Sequence, residues 1–254
     1  MLLSLQGVRR TFGGLAAVDD ASLEVGVGEV HGLIGPNGAG KTTLLNLISG
    51  LIPPTSGAIV LDGERIDGLP SHLIAARGVT RTYQNIRLFP ALSASDNVLV
   101  GAHLKRSSPL WRRMIFLPSA AAEERAARQA SLELLDRVGM SERASERASN
   151  LSYGEQRRVE IARALASSPR VMLLDEPTAG MNPGEVKAIA DLIRGVARAG
   201  HSVLLVEHNV KLVMDVSDRI TVLDFGKVIA DGTPAEVARD PAVIAAYLGG
   251  EAAA

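Results

Sequence analysis

The nine residues Gly35-Pro36-Asn37-Gly38-Ala39-Gly40-Lys41-Thr42-Thr43 constrain this chain more than any other stretch. They carry the spacing G-x-x-x-x-G-K-[ST], with Gly35, Gly40, Lys41 and Thr42 in the diagnostic places. A backbone that wraps a polyphosphate must turn consecutive N–H groups inward, through conformations that a Cβ obstructs. Val30 to Ile34 is a short apolar run suited to a buried strand, and Thr42 to Ser49 reads as a helix. Strand, loop and helix in that order bring the positive helix end to the anion. Lys41 then reaches the β- and γ-phosphates, and the Thr42 hydroxyl takes a Mg²⁺ position.

The 254 residues permit one large domain or two modest ones, with ample core. Lys plus Arg total 27 against 28 for Asp plus Glu, and a net charge of −1 offers no global attraction to nucleic acid or an anionic membrane. Cysteine is absent, which excludes disulfides, Cys-ligated zinc and thiol catalysis and suits a reducing compartment. The start, Met1 to Arg10, has no basic segment ahead of a continuous apolar one, so no signal peptide is expected. No apolar run approaches the roughly 18–20 residues that span a bilayer. The expectation is a soluble chain that meets a membrane only through a partner.

Residues 2 to 8 and 18 to 25 flank Thr11-Phe12-Gly13-Gly14, the pattern of an antiparallel β-layer with a glycine turn. Phe12 there suits either stacking on an adenine or packing in the core. Ala58 to Leu61 with Asp62-Gly63 reads as a hairpin strand and its turn, Ser71 to Ala76 as a short helix, and Val79 to Tyr83 as a strand. Gln84 follows directly, at the kind of sheet edge where ligands bind; read alone, it is a surface amide or a metal ligand. The pattern then changes through Leu88-Phe89-Pro90, a helical stretch near Ser95 to Leu104, Ser107-Ser108-Pro109 and Trp111, the start of an inserted helical subdomain. Ala120 to Val138 has helical spacing with Leu132, Leu135 and Val138 on one face, and Gly139 as C-cap. Residues 141 to 150 are polar.

Leu151-Ser152-Tyr153-Gly154-Glu155-Gln156 opens a helix running to about Ala166. Ser152 and Glu155 fit a capping box, and the same helix start can hold phosphate. Val171 to Leu174 is a buried parallel strand ended by Asp175 and Glu176 at its C-terminal edge. Beside a phosphate loop, Asp175 would hold Mg²⁺ through water and Glu176 could polarise the attacking water. Pro183 to Arg198 is a helix stopped at Gly200, and Ser202 to Glu207 is another buried strand with His208 at its end. A lone histidine is a structural hydrogen-bonder or, sharing its edge with Gln84 and Glu176, a site residue. His31, His72, His103 and His201 show no constellation. Arg219 to Asp224 and Lys227 to Ala230 bracket Phe225-Gly226 as a hairpin, and Pro234 to Leu248 closes the chain with one or two helices.

With the phosphate loop, Gln84, Leu151 to Gln156, Val171 to Glu176 and His208 in this order, the chain resembles the ATP-binding subunit of an ABC transporter over residues 2 to 248. The resemblance implies an α/β P-loop NTPase fold of the ABC-ATPase type, with a RecA-like core, an antiparallel β subdomain and an α-helical signature subdomain. One domain would cover 2–250, with 2–85 and 167–250 as β-layer and core, 86–166 as helical subdomain and 251–254 as tail. Phe12 matches the adenine-stacking aromatic, Gln84 the Q-loop glutamine, Ser152 and Gly154 the signature motif, Glu176 the catalytic glutamate and His208 the switch histidine. The signature reads Leu-Ser-Tyr-Gly-Glu-Gln instead of Leu-Ser-Gly-Gly-Gln, and the D-loop, Ala179-Gly180-Met181-Asn182, has Asn182 where Asp is usual. With Arg81 to Phe89, Asn97 to Gly101 and Ala246 to Gly249, these departures are similar to the ATP-binding subunit of high-affinity branched-chain amino acid importers. Importers of urea or short amides and the lipopolysaccharide-export ATPase are near relatives.

The resemblance implies an ATPase using ATP and Mg²⁺, the metal held by Thr42, Gln84 and Asp175. It also implies a head-to-tail dimer in which each ATP lies between one subunit's Lys41 loop and the other's Leu151 to Gln156. Partners would be an identical or paralogous second subunit, membrane permeases at the cytoplasmic face of the cell membrane and, indirectly, a solute-binding protein; no nucleic acid is expected. A soluble ABC ATPase acting on DNA or the ribosome is the alternative of another class, but such proteins usually carry two cassettes, a long coiled coil or a basic tail.

Overall fold

The computed structural model describes residues 1–105 and 118–251. The expected features at Ser107-Ser108-Pro109 and Trp111, and residues 252–254 of the tail, lie outside the described residues. Two compact units emerge, one formed by Met1–Arg81 with Arg170–Ala254, the other by Thr82–Pro169.

The first unit holds two sheets. Strands β1 (Leu3–Phe12) and β2 (Leu15–Val25) pair antiparallel across Gly13-Gly14, as the alternation and glycines require. Strand β4 (Ser56–Leu61) pairs with the other edge of β1, and β5 (Glu64–Arg65) with β4. The second sheet has the order β10-β9-β3-β8-β7-β6. Its centre is β3 (Val30–Ile34), β8 (Ser202–Val206) and β7 (Val171–Asp175), parallel and buried at every residue, which is why these segments read as apolar runs without alternation. Strand β6 (Val79–Arg81) pairs parallel with β7, while β9 (Arg219–Asp224) and β10 (Lys227–Gly232) form the hairpin. The expected strand through Tyr83 therefore stops two residues early: β6 is an edge strand whose last pair is Arg81 with Leu173, although β7 itself continues to Asp175. A single apolar cluster joins both sheets, from Leu3, Leu5 and Val8 through Leu44 and Leu47 to Leu173 and Leu204.

Helix α1 (Lys41–Ile48) starts where the glycine loop ends, and α2 (Ser71–Ala76) precedes β6. In the second unit lie α3 (Ala94–Gly101), α4 (Pro118–Arg137) and α5 (Tyr153–Leu165), with short 3₁₀ turns at Ser141–Arg143 and Ala148–Asn150. Helix α6 (Pro183–Arg198) follows β7, α7 (Val210–Val216) follows β8, and α8 (Pro234–Val237) and α9 (Pro241–Glu251) close the chain. No helix among the described residues is long and apolar enough to cross a membrane.

Helix α4 corrects one expectation. Ser131, Leu135 and Val138 are its buried stripe, and Leu132 is 43% exposed. Positions 131, 135 and 138 recur at four- and three-residue spacing, which turns Leu132 off the stripe. Gly139, at φ +67°, ends the helix as expected: its N–H bonds the Asp136 carbonyl and that of Met140 bonds Leu135 at 2.8 Å, a Schellman closure.

Candidate functional site

In the first unit the loop between β3 and α1 has the wrapped backbone its glycines foretell. Gly35 sits at φ +151°, and a Cβ there would lie 2.0 Å from the Leu223 carbonyl oxygen. Gly40, at φ +103°, would put one 2.4 Å from the Ala17 oxygen. The β9–β10 turn clips this loop from the side, since the Gly226 N–H bonds the Ala39 carbonyl at 2.9 Å. Lys41 begins α1 with its ammonium folded back, Nζ donating to the carbonyls of Gly35 at 2.6 Å and Pro36 at 2.9 Å. Burial pushes the Lys41 ammonium below the ordinary lysine range, an effect opposed by the carboxylates of Glu176 and Asp175. Those three groups therefore share one field. Asn37, Gly38 and Thr42 are exposed and face no competing core contact.

Parallel pairing explains why the acidic pair is here. Strands β3, β7 and β8 end on the same edge, so the residues following each are neighbours. Asp175 is the last residue of β7; its Oδ2 accepts from an Arg81 guanidinium nitrogen at 2.8 Å, and both side chains are more than nine-tenths buried. Glu176 comes next, at φ +47°. A non-glycine residue held there costs about 1–3 kcal/mol, and such strain gathers at working sites. Its N–H is pinned to the Val206 carbonyl at 2.8 Å, and its Oε1 lies 2.7 Å from His208 Nε2, at the end of β8. His208, which its residues alone leave as a structural hydrogen-bonder or a site residue, is thus in contact with Glu176.

Three buried or half-buried groups escaped the sequence reading. Glu207, 4% exposed, accepts from the Thr178 N–H at 2.8 Å and hydroxyl at 2.6 Å, tying the segment after Glu176 to β8. Tyr247 of α9 has its phenol pushed above the ordinary range by burial, with the Gly35 backbone opposing the rise. Arg81, the third, ends β6, and its partners across the fold have no signal in the local sequence. Asn182 serves as N-cap of α6, accepting from Gly184 and Glu185 N–H groups while the Glu185 side chain returns the bond. Asn caps as well as Asp, so this position loses nothing as a helix start. Ala179, Gly180 and Met181 form the turn before it. Phe12 is 46% exposed at the end of β1, with the Arg10 guanidinium 4.7 Å from its ring centre, so the core-packing alternative is set aside.

The second unit carries Gln84 and Leu151 to Gln156. Ser152 caps α5, and Glu155 completes the capping box through the Ser152 N–H at 2.8 Å. Leu151 and Gly154 are buried, Ser152 and Tyr153 exposed, and the Gln156 amide donates to the Leu151 carbonyl at 2.8 Å. Arg157, fully buried, donates to the carbonyls of Tyr83 and Gln84, each at 2.7 Å, and to Glu160 at 2.6 Å. The helix start and the Gln84 backbone are thereby one rigid piece. Desolvation pushes the Glu160 carboxyl above its ordinary range, with Arg157 opposing it. Arg157→Met is expected to cost about 3–5 kcal/mol by taking away the carboxylate's close buried partner and leaving it the Arg163 guanidinium at 3.8 Å and the Arg87 N–H. A raised acid pKa loses stability as pH climbs through and above about 4.5, so the difference in unfolding midpoint between parent and variant should narrow as pH falls toward 4.5. Adding Glu160→Gln should recover part of it.

A parallel sheet with a glycine loop, a lysine-headed helix and acidic strand ends on one edge defines a phosphate-loop nucleotide-binding protein. A family profile for ABC transporters matches residues 18–179, and a second, for the branched-chain amino acid ATP-binding cassette transporter, matches residues 227–253. The chain is 43% identical over 249 residues to the high-affinity branched-chain amino acid transport ATP-binding protein LivG of Escherichia coli K12, and 45% identical over 250 residues to BraF of Pseudomonas aeruginosa, covering 98% of each chain in both comparisons. Among solved structures, the ADP conformation of MJ1267, an ATP-binding cassette of an ABC transporter, superposes with a TM-score of 0.84 at 28% identity, covering 98% of both chains. A dimeric post-hydrolysis state of the cassette MJ0796 with ADP and Pi gives 0.77 at 26% identity, over 92% of this chain and 99% of that one. The chain belongs to the ATP-binding family of ABC transporters, and it is an ATPase.

Proposed function

We propose that this chain is the ATP-hydrolysing subunit of a branched-chain amino acid importer, docked on permeases at the cytoplasmic face of the cell membrane and served by a solute-binding protein. The observation that carries this reading is the 43–45% identity to LivG and BraF over nearly the whole of each chain. Co-purification tests it: expressed with the permease subunits of a branched-chain amino acid importer from the same genome, the chain should be retained by a tagged permease in detergent, with ATPase activity that rises when the solute-loaded binding protein is added. An ATPase that ignores leucine-loaded binding protein would contradict the amino-acid assignment.

The residues fit Mg²⁺. Thr42 offers a hydroxyl and Asp175 a carboxylate, hard oxygen donors beside the phosphate loop, and no cage of three or more acidic, His or Cys side chains exists among the described residues. A metal completed by substrate phosphates and water is how Mg²⁺ is usually held. Gln84 is the third candidate ligand, carried by the other unit. When bound, Mg²⁺ offsets phosphate charge. Lys41 exchanges the Gly35 and Pro36 carbonyls for phosphate oxygens, and the loop amides from Gly38 to Thr43 take the rest of the charge. Phe12 offers a ring face to the adenine. Glu176 accepts the proton of the attacking water or orients it, held by His208, whose ring is also within reach of a γ-phosphate. Ser152 and Gly154 are proposed to close over the ATP of a second subunit, and the turn from Ala179 to Asn182 to meet that subunit as well. Closure then depends on the γ-phosphate and is released by its loss.

A further inference from the structure

Asp175 is a buried carboxylate with two cations in its surroundings, and the structure gives it to one of them. Arg81 holds its Oδ2 at 2.8 Å. The same guanidinium donates through its other terminal nitrogen to Asn46 Oδ1 at 2.6 Å and to the Ser49 hydroxyl at 3.3 Å, both on or just after α1. Lys41, the second cation, spends its protons on the Gly35 and Pro36 carbonyls instead. Arg81 thus bridges the end of β7 to the helix that begins at the phosphate loop. It fixes the distance between Asp175 and Thr42 through rigid elements.

We propose that Arg81 is a positioning residue that sets how strongly the nucleotide site takes Mg²⁺, by clamping Asp175 against α1 and keeping it from pairing with Lys41. This rests on the Mg²⁺ assignment to Thr42 and Asp175 made above. With one carboxylate oxygen committed to Arg81, the other is left to accept from a metal-bound water, and half the carboxylate charge is offset. A buried carboxylate without that clamp still has Lys41 within its field. Capture by it would remove both the lysine and the carboxylate from the phosphates. A lysine at position 81 preserves the charge but supplies a single point donor where the planar fork makes directed contacts through both terminal nitrogens.

The test is the Mg²⁺ dependence of binding a fluorescent N-methylanthraniloyl-ATP to the full chain, with affinity in EDTA measured beside it. The parent should bind more tightly with Mg²⁺, and Asp175→Asn should blunt that gain. Arg81→Lys should need about tenfold more Mg²⁺ for half-maximal binding, with affinity in EDTA within about twofold of the parent. Asn46→Ala leaves both charges in place and should shift the Mg²⁺ midpoint in the same direction; it decides the matter if Arg81→Lys does not fold. An unchanged Mg²⁺ midpoint in the variants, with the parent and Asp175→Asn behaving as stated, overturns the role of Arg81 alone. An equal loss in EDTA and in Mg²⁺ also overturns it, because the defect would then lie in the phosphate loop. A parent whose affinity ignores Mg²⁺, or an Asp175→Asn variant that matches it, overturns the metal assignment and this inference together.

Discussion

Replacing Glu176 with Gln is expected to slow ATP turnover by about 10²- to 10⁴-fold, the range that removing a positioned general base produces. Nucleotide affinity should stay within a few-fold of the parent. The substitution keeps size and one oxygen acceptor, so the 2.7 Å contact to His208 Nε2 can persist as a neutral hydrogen bond. The backbone at φ +47° is unchanged, because it is imposed by the Glu176 N–H bond to Val206. Only the capacity to take a proton or hold the water by full charge is lost. Steady-state phosphate release with parallel binding titrations checks this. Turnover within about tenfold of the parent would remove Glu176 from the proposed role.

Lys41→Ala should instead fail at binding. A charge-assisted contact to phosphate contributes about 1.5–3 kcal/mol, so affinity for ATP should drop by roughly tenfold to a hundredfold. The fold should tolerate the change. Burial already disfavours the charged ammonium at that position, and its removal frees the Gly35 and Pro36 carbonyls to bond solvent at the loop surface. Isothermal titration with ATP, beside a thermal unfolding midpoint within a few degrees of the parent, is the expected pair of results. Unchanged affinity would contradict the assignment of Lys41 to the phosphates.

Much of this architecture is legible in local pattern because the parallel strands are buried on both faces. Val30–Ile34, Val171–Asp175 and Ser202–Val206 announce themselves as apolar runs, and their shared polarity places Asp175, Glu176 and His208 on one edge. Capping chemistry is equally local: Ser152 with Glu155 and Gly139 are readable within a turn of the chain. Contacts made across the fold are not. Arg81 finds Asn46 and Asp175, which are 35 and 94 positions away, and Glu207 finds Thr178 at 29. A charged residue in a strand beside an apolar core signals that a partner exists without naming it. The turning out of Leu132 has the same origin, since it depends on where the neighbouring elements lie.

The account rests on two copies closing over nucleotide, with the Lys41 loop of one facing Ser152 and Gly154 of the other. Sedimentation of the purified Glu176→Gln chain tests this most directly, run without nucleotide, with ADP and with ATP plus Mg²⁺. The mass of one chain without nucleotide or with ADP, and of two with ATP, is the predicted result; adding Ser152→Arg should return it to one. A chain that binds ATP to saturation yet keeps the mass of a single copy would contradict the account.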